Sequence, residues 1–486
     1  MRRGSRAIAL LAAALISSAA ASDPPRRPNV LFIAVDDLRP DLGCYGVAHA
    51  RTPHLDAFAA TAMTFEEHYV QAPSCGASRA ALLTGRSPAR SGRLGNTALY
   101  EGKDPLSPEP LEGAQTLPEL FRRNGYRTVS IGKVSHTPDG RVFAYDGSGD
   151  GRDELPHAWD ELATPVGPWR RGWGAFFAYA EGAHREDGSG HRDVLEFEVT
   201  ADDDLPDGLI ARAAVAKIEE LGARDEPFFL GVGFFKPHLP FVATKGDRTA
   251  MDAIEIPPPP HPVPLDDALM LACGSRSGEF YGYDAPWEKT RPLALDATLE
   301  ARRAYLACVR YVDRQVGRVL DAVDESGLAD STIVVVWGDH GWHLGDAGIW
   351  GKHSLLDRSL RSVLMLRAPS VTAPGSRCTS IVETLDLYPT LVELAGLGDT
   401  RTAFPLDGVS LTPVLDGSTD SVRDAAASYW GDRATIRTEA LRLVARLGDD
   451  GWEPLALFDA RDPVADVQRE EDERVQALLE RLDRRR

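Results

Sequence analysis

The chain has 486 residues, 43% hydrophobic and 26% charged, proportions that exclude a disordered or fibrous protein. Lys and Arg number 54 against 73 Asp and Glu, a formal net charge of −19, which excludes a protein that works by neutralising nucleic-acid phosphates. A chain this long makes two to four units of roughly 150 residues, or one large α/β domain with an appendage.

Residues 1–22 read as an export signal. Arg2, Arg3 and Arg6 precede the apolar run Ala7 to Ile16, and the small residues Ser17 to Ser22 suit a signal peptidase. The run is shorter than the ~20 residues that a membrane span needs, so no stable membrane anchor is expected. None of the three asparagines, Asn29, Asn96 and Asn124, stands in an N-x-S/T sequon, which favours a bacterial periplasmic or secreted protein.

Val30 to Val35 is an unbroken apolar run of strand length, stopped by Asp36-Asp37. Phe228 to Val232 ends near Lys236-Pro237-His238, and Thr332 to Trp337 ends at Gly338-Asp339-His340. Apolar runs without alternation suit strands buried on both faces, as in a parallel sheet covered by helices. Leu209 to Leu221 and Leu299 to Val323 carry apolar residues at helical spacing, so strands alternate with helices in an α/β sandwich. In such sheets ligands sit beyond the carboxyl ends of the strands, where all three runs place charged residues.

Residues 140–200 are rich in Gly, Asp, Arg and Trp and read as a long surface insertion that shapes a cleft. Pro257 to Pro260 is a rigid loop. From about 420 the pattern changes to strand-like pieces, Thr435 to Thr438, Leu441 to Leu447 and Leu455 to Phe458, followed by a charged amphipathic tail, Val467 to Leu482. The expected division is a signal peptide (1–22), a catalytic α/β domain (23–420) and a C-terminal subdomain (421–486) with a few antiparallel strands.

Adjacent carboxylates such as Asp36 and Asp37 repel one another unless a cation or base neutralises them. With Asp339-His340 they offer three carboxylates and an imidazole, a set suited to Ca²⁺ or Mg²⁺ rather than Zn²⁺. Cys75 stands in the small, polar turn Ser74-Cys75-Gly76-Ala77-Ser78, where a helix N-terminus stabilises an anion, and Arg79 returns one turn later on the same face. An oxidising compartment permits disulfides among Cys44, Cys75, Cys273, Cys308 and Cys378, and the odd count leaves at least one thiol unpaired.

Cys75-Gly76-Ala77-Ser78-Arg79 resembles the C-x-P/A-x-R motif of type I sulfatases of the alkaline-phosphatase-like superfamily. Further pieces follow in family order: Asn29 to Asp37, Gly125-Tyr126 through Gly132-Lys133 to His136, Lys236-Pro237-His238, Asp339-His340-Gly341 and Gly351-Lys352-His353, with Leu457-Phe458-Asp459 and Asp462-Pro463 closing the set. Asp36-Asp37-Leu38-Arg39-Pro40, the Lys133-x-x-His136 spacing and His340 resemble the iduronate-2-sulfatase-like branch. Ala77 departs from the commoner Pro, and Ser135 stands where a bulky aromatic is usual.

The resemblance implies that Cys75 is oxidised to Cα-formylglycine by a formylglycine-generating enzyme. It also implies a fold with a large, mostly parallel central sheet and a smaller C-terminal antiparallel one. Asp36, Asp37, Asp339 and His340, with the hydrated residue 75, would hold Ca²⁺, with Mg²⁺ as the alternative. Arg79 would hold the hydrate, Lys133 and His136 would flank it with His136 as base, and His238 and Lys352 would bind the sulfate and protonate the leaving alkoxide. Only seven lysines accompany 47 arginines, and three of them, Lys133, Lys236 and Lys352, fall in these motifs; an ammonium serves as point charge or proton donor where a guanidinium cannot release its proton. Lys236 is left out of the site, and His343, His353 and Asp357 suit supporting roles. The expected substrate is a sulfated carbohydrate, met at chain ends or as short oligosaccharides because an acidic exterior repels long polyanions. Two other readings are a phosphomonoester or phosphonate-ester hydrolase of the same superfamily, and a silent sulfatase-fold binding protein.

Overall fold

The structure is a computed structural model that describes residues 27–274, 278–398, 400–460, 462–466 and 473–486. The expected signal segment, residues 1–22, and part of the amphipathic tail lie outside the described residues. Among those described, no helix is long and apolar enough to cross a membrane.

Eight strands form the central sheet: β1 (Asn29–Val35), β2 (Met63–Tyr69), β3 (Arg127–Gly132), β4 (Glu161–Leu162), β5 (Phe228–Phe234), β6 (Thr332–Gly338), β7 (Leu364–Arg367) and β8 (Arg377–Glu383). Their order is β8-β2-β7-β6-β1-β5-β3-β4, and only β7 runs against the rest. The three apolar runs are the adjacent central strands β5, β1 and β6, and all three are wholly buried.

Alternate residues of one run serve two cores, because side chains of a strand point to opposite faces in turn. Leu31, Ile33 and Val35 pack with α3 (Pro206–Gly222) and α4 (Leu295–Glu325). Val30, Phe32 and Ala34 pack on the other face with α1 (Cys75–Thr84), α2 (Leu117–Arg123) and α5 (Leu387–Leu394). With both faces covered, β1 carries no polar residue between Asn29 at its start and Asp36 just past its end.

The register brings those ends level: Val35 pairs with Gly338 and with Phe234, and Gly132 pairs with Gly233. Asp36-Asp37, Asp339-His340, Lys133 and the Lys236–His238 loop therefore leave the sheet at one edge. Gly132 (φ 75°) permits the turn into Lys133, since a Cβ there would lie 2.0 Å from the Gly233 carbonyl oxygen.

Residues 140–200 are less superficial than their composition implied. Trp169, Trp173, Phe176, Phe177 and Tyr179 are buried in the α3/α4 core, leaving the Gly- and Asp-rich loops outside. The strand-like pieces after 420 belong to an antiparallel sheet of β9 (Ala425–Trp430), β10 (Arg433–Thr438), β11 (Leu441–Gly448), β12 (Gly451–Asp459) and β13 (Asp462–Asp466), paired in chain order. One face packs Val444 and Phe458 with Tyr69, Leu356 and Ile381 of the main body. The other is covered by Val475, Leu478 and Leu482 of α6 (Glu473–Asp483). Among the described residues no disulfide joins any two of the five cysteines.

Candidate active site

Cys75 is the first residue of α1, a wholly buried, alanine-rich helix that ends at Gly85 in the left-handed conformation. The turn before it is fixed by Asn96, whose Oδ1 accepts from Ser74 Oγ (2.7 Å) and from the Gly76 amide (3.1 Å). Position 76 admits only glycine, because a Cβ would lie 2.3 Å from the Asn96 Cα. Sγ of Cys75 is thereby held at the strand ends, 3.3 Å from Asp36 Oδ1, 3.2 Å from His340 Nε2 and 3.2 Å from Lys352 Nζ.

The carboxylates form one cluster. The Asp37 amide donates to Asp339 Oδ1 (3.0 Å), and His340 Nδ1 lies 3.4 Å from Asp37 Oδ1. Asp37 has φ 58°, a left-handed backbone that turns its carboxylate toward Asp36 at a cost typical of functional sites. Donor atoms of Asp36, Cys75, Asp339 and His340 lie within 4.8 Å of one another, as do those of Asp36, Asp37, Cys75 and His238.

Cations surround the cluster. Arg79 Nε donates to Asp339 Oδ2 (3.0 Å), and Nη1 donates to the Lys133 and Val134 carbonyls. Lys133 is paired with Asp36 and stands 4.0 Å over the Phe176 ring, while Lys352 donates to Asp37 Oδ1 (2.9 Å). Burial would raise the Asp36 carboxyl, yet Lys133, His238 and Arg79 hold it well below the usual carboxylate range. Asp37 is pushed well above that range by burial, which Lys352 and His340 offset only in part. Its Oδ2 is buried with no hydrogen-bond partner. A carboxylate oxygen so placed, among two further carboxylates and an imidazole, fits a hard divalent cation.

The remaining sequence-predicted residues fall around this centre. His238 Nδ1 contacts the Leu239 carbonyl oxygen (2.7 Å) and Nε2 lies 3.8 Å from Asp37 Oδ2. Burial and Lys352 push its pKa well below the ordinary imidazole value. His136 is not among the hydrogen-bond partners of Cys75 Sγ. It packs on Trp173 (5.2 Å), its amide donates to Glu154 Oε1 (3.1 Å), and its Nδ1 has no partner. Burial and Lys133 push its pKa well below the ordinary value, leaving a neutral ring. Lys236 turns away: its Nζ donates to the His238 and Pro240 carbonyls of its own loop.

Two features escaped the sequence reading. Glu279 lies 3.4 Å from His238 Nε2 and 3.8 Å from Lys352 Nζ, and nothing in Gly278-Glu279-Phe280 marks it. Phe176 and Trp342 form the apolar wall against Lys133 and Lys352. The cleft expected of residues 140–200 opens beside His136 with a volume of about 580 Å³, lined among others by Tyr145, Arg152 and Trp173 of that segment and by Tyr100.

A mostly parallel α/β sheet thus brings acidic strand ends, a helix-start cysteine and opposed lysines to one place. A family model described as Sulfatase matches residues 28–397, and the chain belongs to the sulfatase family, enzymes that hydrolyse sulfate esters. It is similar to iduronate 2-sulfatase of Mus musculus, with 32% identity over 79% of this chain and 71% of that one. It is also similar to a sulfatase of Formosa agariphila, with 32% identity over 76% and 70%. In fold it matches the phosphonate monoester hydrolase of Silicibacter pomeroyi, with a TM-score of 0.73 and 24% identity over 94% of each chain.

Proposed function

We propose that the chain removes sulfate from sulfated carbohydrates by covalent catalysis at position 75, matured from cysteine to formylglycine. The observation that carries this reading is the placement of Sγ within 3.3 Å of Asp36 Oδ1, His340 Nε2 and Lys352 Nζ at the start of a buried helix. The sulfur stands in for an oxygen of the hydrated aldehyde. A buried thiol pushed up to about 12 by burial and by Asp36 is a poor nucleophile, so the unmodified residue is unsuited to attack.

In the first step one hydroxyl of the hydrate attacks sulfur and gives up its proton to Asp36, whose Oδ1 accepts from position 75 at 3.3 Å, while the bond from sulfur to the leaving oxygen breaks. His238 and Lys352, both beside Asp37, flank the sulfuryl group, and the Lys352 ammonium supplies the proton to the alkoxide, since the Nδ1 proton of the neutral His238 ring is committed to the Leu239 carbonyl. In the second step the remaining hydroxyl loses its proton to His136, the carbon–oxygen double bond forms and the carbon–oxygen bond to sulfate breaks. Water then adds to the aldehyde. Two easier steps replace direct hydrolysis of an inert alkyl sulfate. Arg79, bridging Asp339 and the Lys133 carbonyl, fixes α1 against the strand ends throughout.

Asp36, Asp37, Asp339 and His340 are the residues that would hold Ca²⁺, with Mg²⁺ as the alternative. Such an ion supplies Lewis-acid polarisation and lowers the pKa of a neighbouring hydroxyl. Tyr100, Tyr145 and Trp173 in the adjoining cleft support a sugar substrate, because aromatic faces with polar rims suit rings that are apolar on one side. Export through residues 1–22 to the periplasm or beyond, and maturation by a formylglycine-generating enzyme, complete the reading. The test is a panel of defined sulfated sugars given to the matured protein, with free sulfate followed. Release from one sugar class supports the reading, and hydrolysis of aryl sulfate alone contradicts the carbohydrate assignment.

A further inference from the structure

We infer that Glu279 sets the net charge of the anion site and so selects singly charged sulfate esters over doubly charged phosphate monoesters; this rests on the sulfatase reading above. Glu279 begins the short turn Phe280–Gly282, and its side chain is 24% exposed at the mouth of the site. Oε1 lies 3.4 Å from His238 Nε2 and Oε2 lies 3.8 Å from Lys352 Nζ, the two side chains placed to hold the transferred group. It shares His238 and Lys352 with Asp37 but is not in either set of clustered donor atoms.

A carboxylate at the wall of an anion site weakens every anion, so it serves discrimination rather than affinity. In the ion-loaded site, where all three carboxylates would be charged, Asp36, Asp37 and Asp339 are matched by Lys133, Arg79 and Lys352. A divalent ion leaves two positive charges over, and Glu279 reduces them to one. A sulfate monoester carries a single negative charge, whereas a phosphate monoester carries two above its second pKa of about 6. With Glu279 present the site neutralises the monoanion; without it, the dianion. Because Coulomb energy is linear in ligand charge, removing the carboxylate multiplies dianion affinity by about the square of the factor gained by a monoanion.

The experiment uses the full chain carrying Cys75→Ala, which binds without turnover, with and without Glu279→Gln. Phenyl sulfate, phenyl phosphate and the singly charged phenyl methylphosphonate are titrated calorimetrically with Ca²⁺ present, at about pH 8 and about pH 5, either side of the phosphate's second pKa. At the higher pH, Glu279→Gln should raise phenyl phosphate affinity at least about tenfold relative to phenyl sulfate. The phosphonate should track the sulfate, the phosphate advantage should vanish at the lower pH, and Glu279→Asp should keep the original preference. The ratio of kcat/KM for 4-nitrophenyl phosphate and sulfate in the matured enzyme should move the same way. An unchanged ratio, an equal loss for all three ligands, or a phosphonate that rises with the phosphate would overturn the inference. Tighter binding of phosphate than sulfate with Glu279 in place would contradict the sulfatase reading itself; a sulfate preference with an unchanged ratio contradicts only the role of Glu279.

Discussion

Lys352 Nζ lies 3.2 Å from Cys75 Sγ, although 277 residues separate them along the chain. Strand β6 and the loop after it bring the ammonium over the start of α1, where it also pairs with Asp37. Replacing Lys352 with Ala should lower kcat/KM on an aryl sulfate by roughly 10²- to 10³-fold, the usual cost of one preorganised charge-stabilising donor. Lys352→Arg should recover little, since a guanidinium is planar and does not release its proton. Recovery by arginine would contradict the assigned role.

Arg79 is fully buried and bridges Asp339, Asp36 and the Lys133 carbonyl. Arg79→Met leaves two carboxylates short of a partner and should destabilise the fold by about 3–5 kcal/mol. Urea unfolding monitored by tryptophan fluorescence checks this; an unchanged midpoint contradicts it.

Gly76 has no room for a methyl group beside the Asn96 backbone. Gly76→Ala should displace the α1 start and abolish sulfate release, while Ala77→Pro, at the second turn-forming position where the family more often carries proline, should leave folding intact. Full activity in Gly76→Ala would show that the turn tolerates what its geometry forbids.

His68 and His343 are buried, and burial lowers each to about 4. Unfolding returns them to the ordinary value near 6.5, so between about pH 6.5 and 4 the unfolded chain binds more protons and stability falls as pH falls. Each contributes on the order of 3 kcal/mol, fully present above pH 6.5 and lost near pH 4. Urea midpoints across this window should drop on acidification, and His68→Gln should drop less; equal drops contradict burial in the neutral form.

Chelation should lower both activity and the thermal midpoint, because an ion that binds only the folded site stabilises it by mass action. Asp37→Asn should weaken the midpoint's dependence on Ca²⁺ while keeping the left-handed backbone that Asn also tolerates. A midpoint indifferent to chelator would contradict a resident ion.

The central strands were legible because β1, β5 and β6 are buried on both faces and, after the paired Asn29 and Thr332 at the starts of β1 and β6, carry nothing but apolar residues and glycine between turns. Strand β2 was not: Glu66 and Glu67 interrupt it where Arg377 and Arg437 approach from the sheet edge and the C-terminal sheet. Short β7 was hidden for want of length. The aromatic residues from Trp169 to Tyr179 were masked by surrounding Gly and Asp, although Trp173, Phe176 and Phe177 wall the site. Residues at strand ends and in motifs could be read, since their chemistry needs fixed neighbours. Glu279 could not, because only the folded chain places it beside His238 and Lys352.

Everything turns on the chemistry of residue 75, and mass spectrometry of its tryptic peptide reads that directly when paired with a sulfate-release assay on the same samples. After coexpression with a formylglycine-generating enzyme, the peptide should lose sulfur and gain aldehyde oxygen, and aryl sulfate turnover should rise in proportion to the converted fraction. Full turnover by protein whose residue 75 is entirely thiol, or none from fully converted protein supplied with Ca²⁺, would contradict it.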